Sequence, residues 1–372
     1  MSHRIRVGVI FGGRSGEHDV SLRSAQAVMR AIDPERFEVV PIGITREGRW
    51  LVGGDPLRAL AACSRLPLEL EPGEVEEVEK TTLPARLDSQ SLAVTEPSWA
   101  RTVDVVFPVL HGPNGEDGTV QGLLELADIP YVGCGVLASA VAMDKPTAKR
   151  LFAQSGLPIA RWFAFTWREW VREPRAIAER VEREFGYPCF VKPANLGSSV
   201  GVTKVHAPEE LPAAIEEANR YDRKIVIEEA IDARELEVSV LGNDDPIASI
   251  VGEIVPSREF YDYEAKYVDD RSQLLIPAPI TEEQAETARS MAVAAFKAID
   301  AAGMARVDFF LERPTGRILV NEINTIPGFT AISMYPKLWE ASGLSFRDLV
   351  TRLIELALER HQERAARCQT WT

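Results

Sequence analysis

The sequence predicts an α/β protein of two or three lobes, opening on a parallel sheet. Three observations predict it. The 372 residues exceed the usual size of one domain. Hydrophobic residues make up 45% and charged residues 26%, which is enough apolar material for more than one core. The N-terminal stretch reads strand, glycine loop, helix, strand, the way a parallel βαβ unit begins.

Taken in order, Ile5–Phe11 is a short apolar strand that runs into Gly12-Gly13-Arg14-Ser15-Gly16-Glu17-His18-Asp19. Leu22, Ala25, Val28, Met29 and Ile32 then recur at helical spacing, and Phe37–Ile44 is the next strand. Residues from about Gly53 to Ala100 hold Pro67, Pro72, Pro84, Pro97 and an acidic run, and read as a peripheral, β-rich insertion. Val103–Leu110 is a buried strand, Thr119–Ala127 a helix and Ile129–Val132 a short strand. Lys145–Gln154 is a helix. Cys189–Lys192 and Val200–Val205 are strands around a small-residue loop, and Ile225–Glu229 and Leu236–Leu241 are strands as well. A long helix, Glu282–Ile299, is capped by Thr281 with Gln284 three residues on. Two strands joined by the turn Glu312–Arg317 follow, then a final helix, Phe346–Arg360. The expected division is 1–133 for an N-terminal α/β domain with its insertion at about 53–100, 134–228 for a central lobe and 229–372 for a C-terminal lobe.

Net charge is −14, from 42 basic and 56 acidic residues. Such a chain is a poor general nucleic-acid binder, because phosphate binding needs a positive surface. A local basic pocket for a small anion stays open. Met1–Arg6 carries no apolar leader pattern, and no apolar run is long enough to span a bilayer. Cys63, Cys134, Cys189 and Cys368 are far apart and lack metal-ligand spacing. These facts point to a reducing cytoplasm, with no membrane or nucleic-acid partner and with buried or free thiols.

The strand Ala305–Leu311 alternates: Val307, Phe309 and Leu311 face one way, Arg306 and Asp308 the other. In the partner strand Val320, Glu322 and Asn324 share a parity, and the turn places Asp308 across from Asn321 or Glu322. One face can therefore gather Arg306, Asp308, Glu322 and Asn324. Two carboxylates held close repel unless a cation lies between them. Carboxylate and amide oxygens suit Mg²⁺. A solvated strand face with a surface ion pair is the plainer alternative. The following Asn324-Thr325-Ile326-Pro327-Gly328 favours a site, since a Pro-Gly turn lets backbone approach a ligand closely.

Lys192-Pro193-Ala194-Asn195-Leu196-Gly197-Ser198-Ser199-Val200-Gly201 offers a lysine for phosphate and small-residue amides that can fold over it; an ordinary hairpin turn is the alternative. No Gly-x-x-x-x-Gly-Lys-Ser/Thr motif occurs, and Gly12-Gly13 is not a dinucleotide fingerprint. His111-Gly112-Pro113-Asn114-Gly115-Glu116-Asp117-Gly118 lies between a strand and a helix, whose N-terminus can face an anion; a tight turn is the alternative. His3, His18, His206 and His361 read as surface or structural.

Taken together, these segments resemble the D-alanine–D-alanine ligase family of the ATP-grasp superfamily, from Val7 to about Leu356 and least over Gly53–Ala100. The motifs agree in order: Phe11–Ser21, His111–Gly118, Met143-Asp144-Lys145, Lys192–Gly201, Phe260-Tyr261-Asp262-Tyr263-Glu264-Ala265-Lys266-Tyr267 and Arg306–Ser333. The resemblance implies an ATP-grasp fold of three lobes, two of them gripping ATP. It implies ligation of two D-alanine molecules through a D-alanyl phosphate, for peptidoglycan precursors. Glu17 then holds the ammonium of the first D-alanine, with His111 and Arg306 near its carboxylate, and Val20 is a substrate-binding residue. Ser198 and Tyr267 bond with Glu17 and close the site. Lys145 and Lys192 bind phosphates, joined by Ser199 and Lys266. Glu228, Glu229, Ile231 and Glu235 hold adenine and ribose. Asp308, Glu322 and Asn324 ligate Mg²⁺ (or Mn²⁺), as two ions, and Gly328, Ser333 and Met334 hold the second D-alanine. Ser257–Ser272 forms a lid. A homodimer is implied.

Tyr267 favours an amine acceptor over a hydroxy acid, because D-alanyl-D-lactate-forming relatives lack it. The rivals are a D-alanine–D-lactate or other amino-acid ligase of this superfamily, a non-catalytic nucleotide binder, and a dehydrogenase. The intact Asp308, Glu322 and Asn324 set argues against the second, and the missing glycine fingerprint against the third.

Overall fold

The computed structural model describes residues 4–61, 64, 68, 79–81, 103–255, 273–330 and 332–368. Three sheets organise the described residues. The first has the order β4-β3-β2-β1-β5, formed by β1 (Ile5–Gly12), β2 (Phe37–Ile44), β3 (Trp50–Val52), β4 (Glu79–Thr81) and β5 (Val105–Val109). Strand β1 pairs in parallel with β2 and β5, as the opening βαβ pattern predicts, and β3 and β4 extend the edge antiparallel. Helix α1 (His18–Ala31) covers one face and buries Leu22, Ala25 and Val28. The expected strand at Ile129–Val132 is only a bridge between Val106 and Tyr131. The rest of the Gly53–Ala100 region, apart from helix α2 (Pro56–Ala61) and β4, lies largely outside the described residues.

Helices α3 (Thr119–Leu126), α4 (Val136–Met143) and α5 (Lys145–Gln154) follow. Asp144 caps α5 by accepting from Thr147 N at 3.0 Å, with Pro146 in the first turn where a missing N–H costs nothing. The second sheet, in the order β6-β9-β7-β8, is antiparallel: β6 (Trp162–Thr166), β7 (Cys189–Pro193), β8 (Thr203–Val205) and β9 (Lys224–Glu229). Helices α6 (Trp167–Arg172), α7 (Pro174–Glu184) and α8 (Leu211–Asn219) complete its core around Val181, Val191 and Ile215.

The third sheet positions the site. Its order is β12-β11-β10-β13-β14, formed by β10 (Ala233–Gly242), β11 (Ile247–Val255), β12 (Gln273–Leu275), β13 (Gly303–Glu312) and β14 (Ile318–Asn324). One face packs Leu236, Val238, Val307, Phe309 and Val320 against α4, α5 and α9 (Glu282–Ala298). The capping box at Thr281 and Gln284 is present. The other face carries Glu237, Arg306, Asp308, Glu322 and Asn324. Helix α10 (Met334–Ala341) packs on β10 and β11, and α11 (Phe346–Cys368), longer than the sequence suggests, ties this lobe to α1 and β5.

Among the described residues no helix is long and apolar enough to cross a membrane. Cys134 and Cys189 are buried free thiols; Cys63 and the side chain of Cys368 lie outside the described residues.

Candidate active site

The hairpin β13–β14 pairs Arg306 with Asn324 and Asp308 with Glu322, but then Phe309 with Val320. Asn321 is therefore an extra residue, a bulge. It corrects the simple alternation: Val320 turns into the core while Glu322 and Asn324 face the opposite way. A bulge re-aims side chains beside a site in this manner.

The like charges on this face are offset by Arg306. Its Nε and Nη2 each donate to Asp308 at 2.7 Å, and Nε lies 3.0 Å from Glu237. Burial alone would lower the guanidinium pKa, yet Asp308 and Glu237 hold it well above its ordinary value. Asn324 Nδ2 donates to Asp308 at 3.0 Å. Among the described residues, no group of three or more His, Cys, Asp or Glu could cage a metal. Asp308, Glu322 and Asn324 instead form a partial set of hard oxygen donors. That fits Mg²⁺, which completes its shell with water and phosphate oxygens.

Glu17 precedes α1, so the strand-to-helix turn carries it into the cavity, where it is nearly buried. Ser198 donates to Glu17 Oε1, and Glu17 N donates to Ser15 Oγ at 3.2 Å. A Cβ at Gly112 would lie 2.9 Å from Glu17 Oε2, so this glycine leaves room for the carboxylate. Ser198 and Ser199 both have positive φ, 50° and 57°, unusual for residues with a side chain. That loop geometry aims the Ser198 hydroxyl at Glu17.

His111 is buried, with Nε2 3.1 Å from Ser24 Oγ and Nδ1 3.1 Å from Ile326 O. A carbonyl only accepts, so Nδ1 carries the proton and Nε2 accepts from Ser24. Burial lowers the His111 pKa, and the ring is neutral. Ser24 Oγ also accepts from Phe329 N at 3.3 Å. The pair thereby fastens the turn holding Gly328. His18, read as surface or structural, is buried, with Nδ1 2.9 Å from Gly13 O.

Glu17, His111, Glu116, Lys145, Ser198, Arg306, Glu322, Asn324, Gly328, Ser333 and Met334 all line one cavity of about 110 Å³. Val20 is buried in α1 and is not among the lining residues. Glu116 accepts from Gly112 N at 2.5 Å. Enclosure and then the Glu17 charge push its carboxyl up to about 8.

A cleft of about 790 Å³ lies between the second and third sheets, lined by Lys192, Ser199, Glu228, Glu229, Ile231, Glu235 and Asp308. That is the size of a small-molecule site, roughly 300–1,000 Å³. Glu228 is enclosed by Lys192 at 2.8 Å and Lys149 at 3.3 Å. Burial alone would raise its pKa, but the two ammonium groups pull it down to about 2. The Glu229 carboxylate is turned to Arg161, with Nε 2.6 Å away. Lys145 donates to Leu196 O. Lys145, Ser198, Glu237 and Glu322 line both the cleft and the cavity, so the two meet there. Lys266 and Tyr267, with the whole expected lid, lie outside the described residues.

Sequence reasoning missed Lys149, Glu237, Ser24 and Glu116. Lys149 had a signal: it follows Lys145 by one helical turn on α5. Glu237 had none, because only the long-range pairing of β10 with β13 sets it opposite Asp308.

Known families match this chain over most of its length. The family model described as D-ala D-ala ligase N-terminus matches residues 6–134, and that described as D-ala D-ala ligase C-terminus matches 151–355. The D-alanine–D-alanine ligase of Geobacillus thermodenitrificans is 55% identical, covering 97% of this chain and 97% of its own. That of Thermoanaerobacter sp. strain X514 is 52% identical, covering 98% and 99%. Among solved structures, the D-alanine-D-alanine ligase from Coxiella burnetii superposes with a TM-score of 0.80 at 34% identity, over 100% of this chain and 98% of that one. The VanG D-Ala:D-Ser ligase from Enterococcus faecalis gives 0.78 at 38%, over 95% and 100%.

Proposed function

The chain belongs to the D-alanine–D-alanine ligase family, and from that premise we propose how its residues divide the work. It has the ATP-grasp fold and is a ligase that joins two D-alanine molecules, a step of peptidoglycan synthesis. One observation carries the residue assignment: Arg306, Asp308, Glu322 and Asn324 share a face where a nucleotide-sized cleft meets a small acidic cavity around Glu17.

In this reading ATP lies in the cleft, its base and ribose toward Glu229, Ile231 and Glu235 and its phosphates toward Lys145, Lys192 and Ser199. Glu228 pairs with Lys192 and Lys149 and so holds both ammonium groups in place beside the cleft. Asp308, Glu322 and Asn324 would hold Mg²⁺, or Mn²⁺, as two ions, which when bound neutralises charge on the transferring phosphoryl group. Lys266 is assigned to the nucleotide and Tyr267 to Glu17 by their place in the sequence motif alone.

Glu17, held by Ser198, takes the ammonium of the donor D-alanine, and Arg306 faces its carboxylate. A carboxylate oxygen is a poor leaving group. The donor carboxylate therefore attacks the γ-phosphorus, the bond to the bridging oxygen breaks and ADP leaves. The acceptor amine then attacks the carbonyl carbon. Arg306 and the Gly328 N–H stabilise the developing oxyanion, and phosphate departs. Ser333 and Met334 hold the acceptor, whose Cα substituent meets an apolar wall. Water is kept out because it would hydrolyse the acyl phosphate. The three-lobe division at 134 and 229, the homodimer and the cytoplasmic site belong to the same proposal.

The test is isotopic. D-alanine labelled with ¹⁸O in its carboxylate should deliver one label to inorganic phosphate per turnover. Phosphate free of label would exclude the acyl phosphate.

A further inference from the structure

We propose that Gly252 sets the size limit of the acceptor subsite by giving Met334 a niche to recede into. The inference rests on the reading that Met334 faces the acceptor.

Gly252 lies on β11 opposite Glu237, on the face that carries the site. Helix α10 starts at Met334 and lies on that face. Met334, Leu338 and Ile254 form a small apolar cluster there, with Leu274 and Ile276 at its rim. A Cβ at Gly252 would lie 2.8 Å from Leu338 Cδ2 and closer still to Met334 Cε, distances that real Cβ atoms do not show. The glycine is not demanded by backbone conformation, because Gly252 is not among the residues with positive φ. What it provides is space.

Leu338 is fully buried and already packed on all sides. Met334 is the long, unbranched side chain of the pair, and it also lines the cavity beside Ile254, Leu274 and Ile332. It has two places to lie: the niche over Gly252, or the cavity. In the structure its terminal methyl occupies the niche. A methyl group added at residue 252 drives it into the cavity, where the acceptor's Cα substituent must fit. The cavity holds only about 110 Å³, so that loss is felt at once. The acceptor class that fits is a D-amino acid with a side chain of one or two heavy atoms, and Gly252 decides where in that range the limit falls.

Competition measures this directly. Full-length enzyme receives ATP, Mg²⁺ and D-alanine with an equal concentration of D-2-aminobutyrate, and the residue in the second position of the dipeptide is identified by mass fragmentation. G252A is expected to lower the proportion of D-2-aminobutyrate to D-alanine there by about tenfold, the discrimination one methylene gives. M334A is expected to raise it, and G252A/M334A to match M334A. L338A, which enlarges the niche without touching the cavity, is expected to raise it as well, and carries the test should G252A fail to fold. If M334A shifts the proportion while folded G252A, or folded L338A, keeps the wild-type value, the role of Gly252 is overturned and the acceptor reading stands. If M334A leaves it unchanged, the acceptor reading itself fails.

Discussion

Arg306 grips Asp308 through two parallel hydrogen bonds of 2.7 Å, and both side chains project from alternate positions of one strand. The contact places the fixed positive charge of the site against one of its three candidate metal ligands. Asp308 is therefore pre-oriented, and Arg306 stays charged without competing for a proton. The fork geometry matters: a lysine supplies charge but not two aligned donors.

Arg306→Lys is accordingly expected to lower kcat/KM by at least about 100-fold, the scale for losing an oriented oxyanion donor. Circular dichroism and melting checked alongside should show an intact fold. Activity within threefold of wild type would remove Arg306 from the reacting centre.

Glu322→Gln removes a charge from the proposed metal set while keeping shape. Turnover is expected to fall by about 1,000-fold or more, since the phosphoryl-transfer charge loses part of its counter-ion support. Direct Mg²⁺ titration in the presence of ADP should show weakened binding. Unchanged titration would point to a different ligand set.

The hairpin was the most legible part of the site. Strand alternation put Arg306 and Asp308 on one face, and turn position set Asp308 across from Asn321 or Glu322, of which the register selects Glu322. The Asn321 bulge was not legible, because nothing local marks it; it follows from packing Val320 and Ile323 into one core. The same limit hid Ser24 and Glu237. Each is an ordinary residue of an amphipathic element until tertiary pairing brings it to His111 or Asp308. Parallel pairing of β1 with β2 was readable, since its apolar run and glycine turn are local signals.

Ser24 and His111 hold the backbone turn that presents Gly328. Ser24→Ala deletes both bonds with little loss of volume. An expected drop of about tenfold in kcat (~1.4 kcal/mol in the barrier) should leave KM for ATP within twofold. A rise in KM for ATP with kcat unchanged would contradict a role confined to that turn.

Glu116 gives the pH dependence a sign. Its carboxyl is pushed from 4.5 to about 8 by enclosure and Glu17. Between those values the folded chain keeps a proton that the unfolded chain has released. The unfolded state thus binds fewer protons, and stability falls as pH rises through that window. Glu116→Gln cannot ionise, so its denaturant midpoint should exceed wild type by more at pH 8 than at pH 5. Parallel curves at both pH values would refute the shift.

The most direct measurement is product identity. Purified protein is given Mg-ATP with D-alanine, with L-alanine, or with D-alanine plus D-lactate, and the products are weighed by mass spectrometry. The account predicts D-alanyl-D-alanine with one ADP per dipeptide, nothing from L-alanine, and dipeptide rather than ester in the mixture. ADP release that ignores D-alanine, or an absence of D-alanyl-D-alanine, would contradict it.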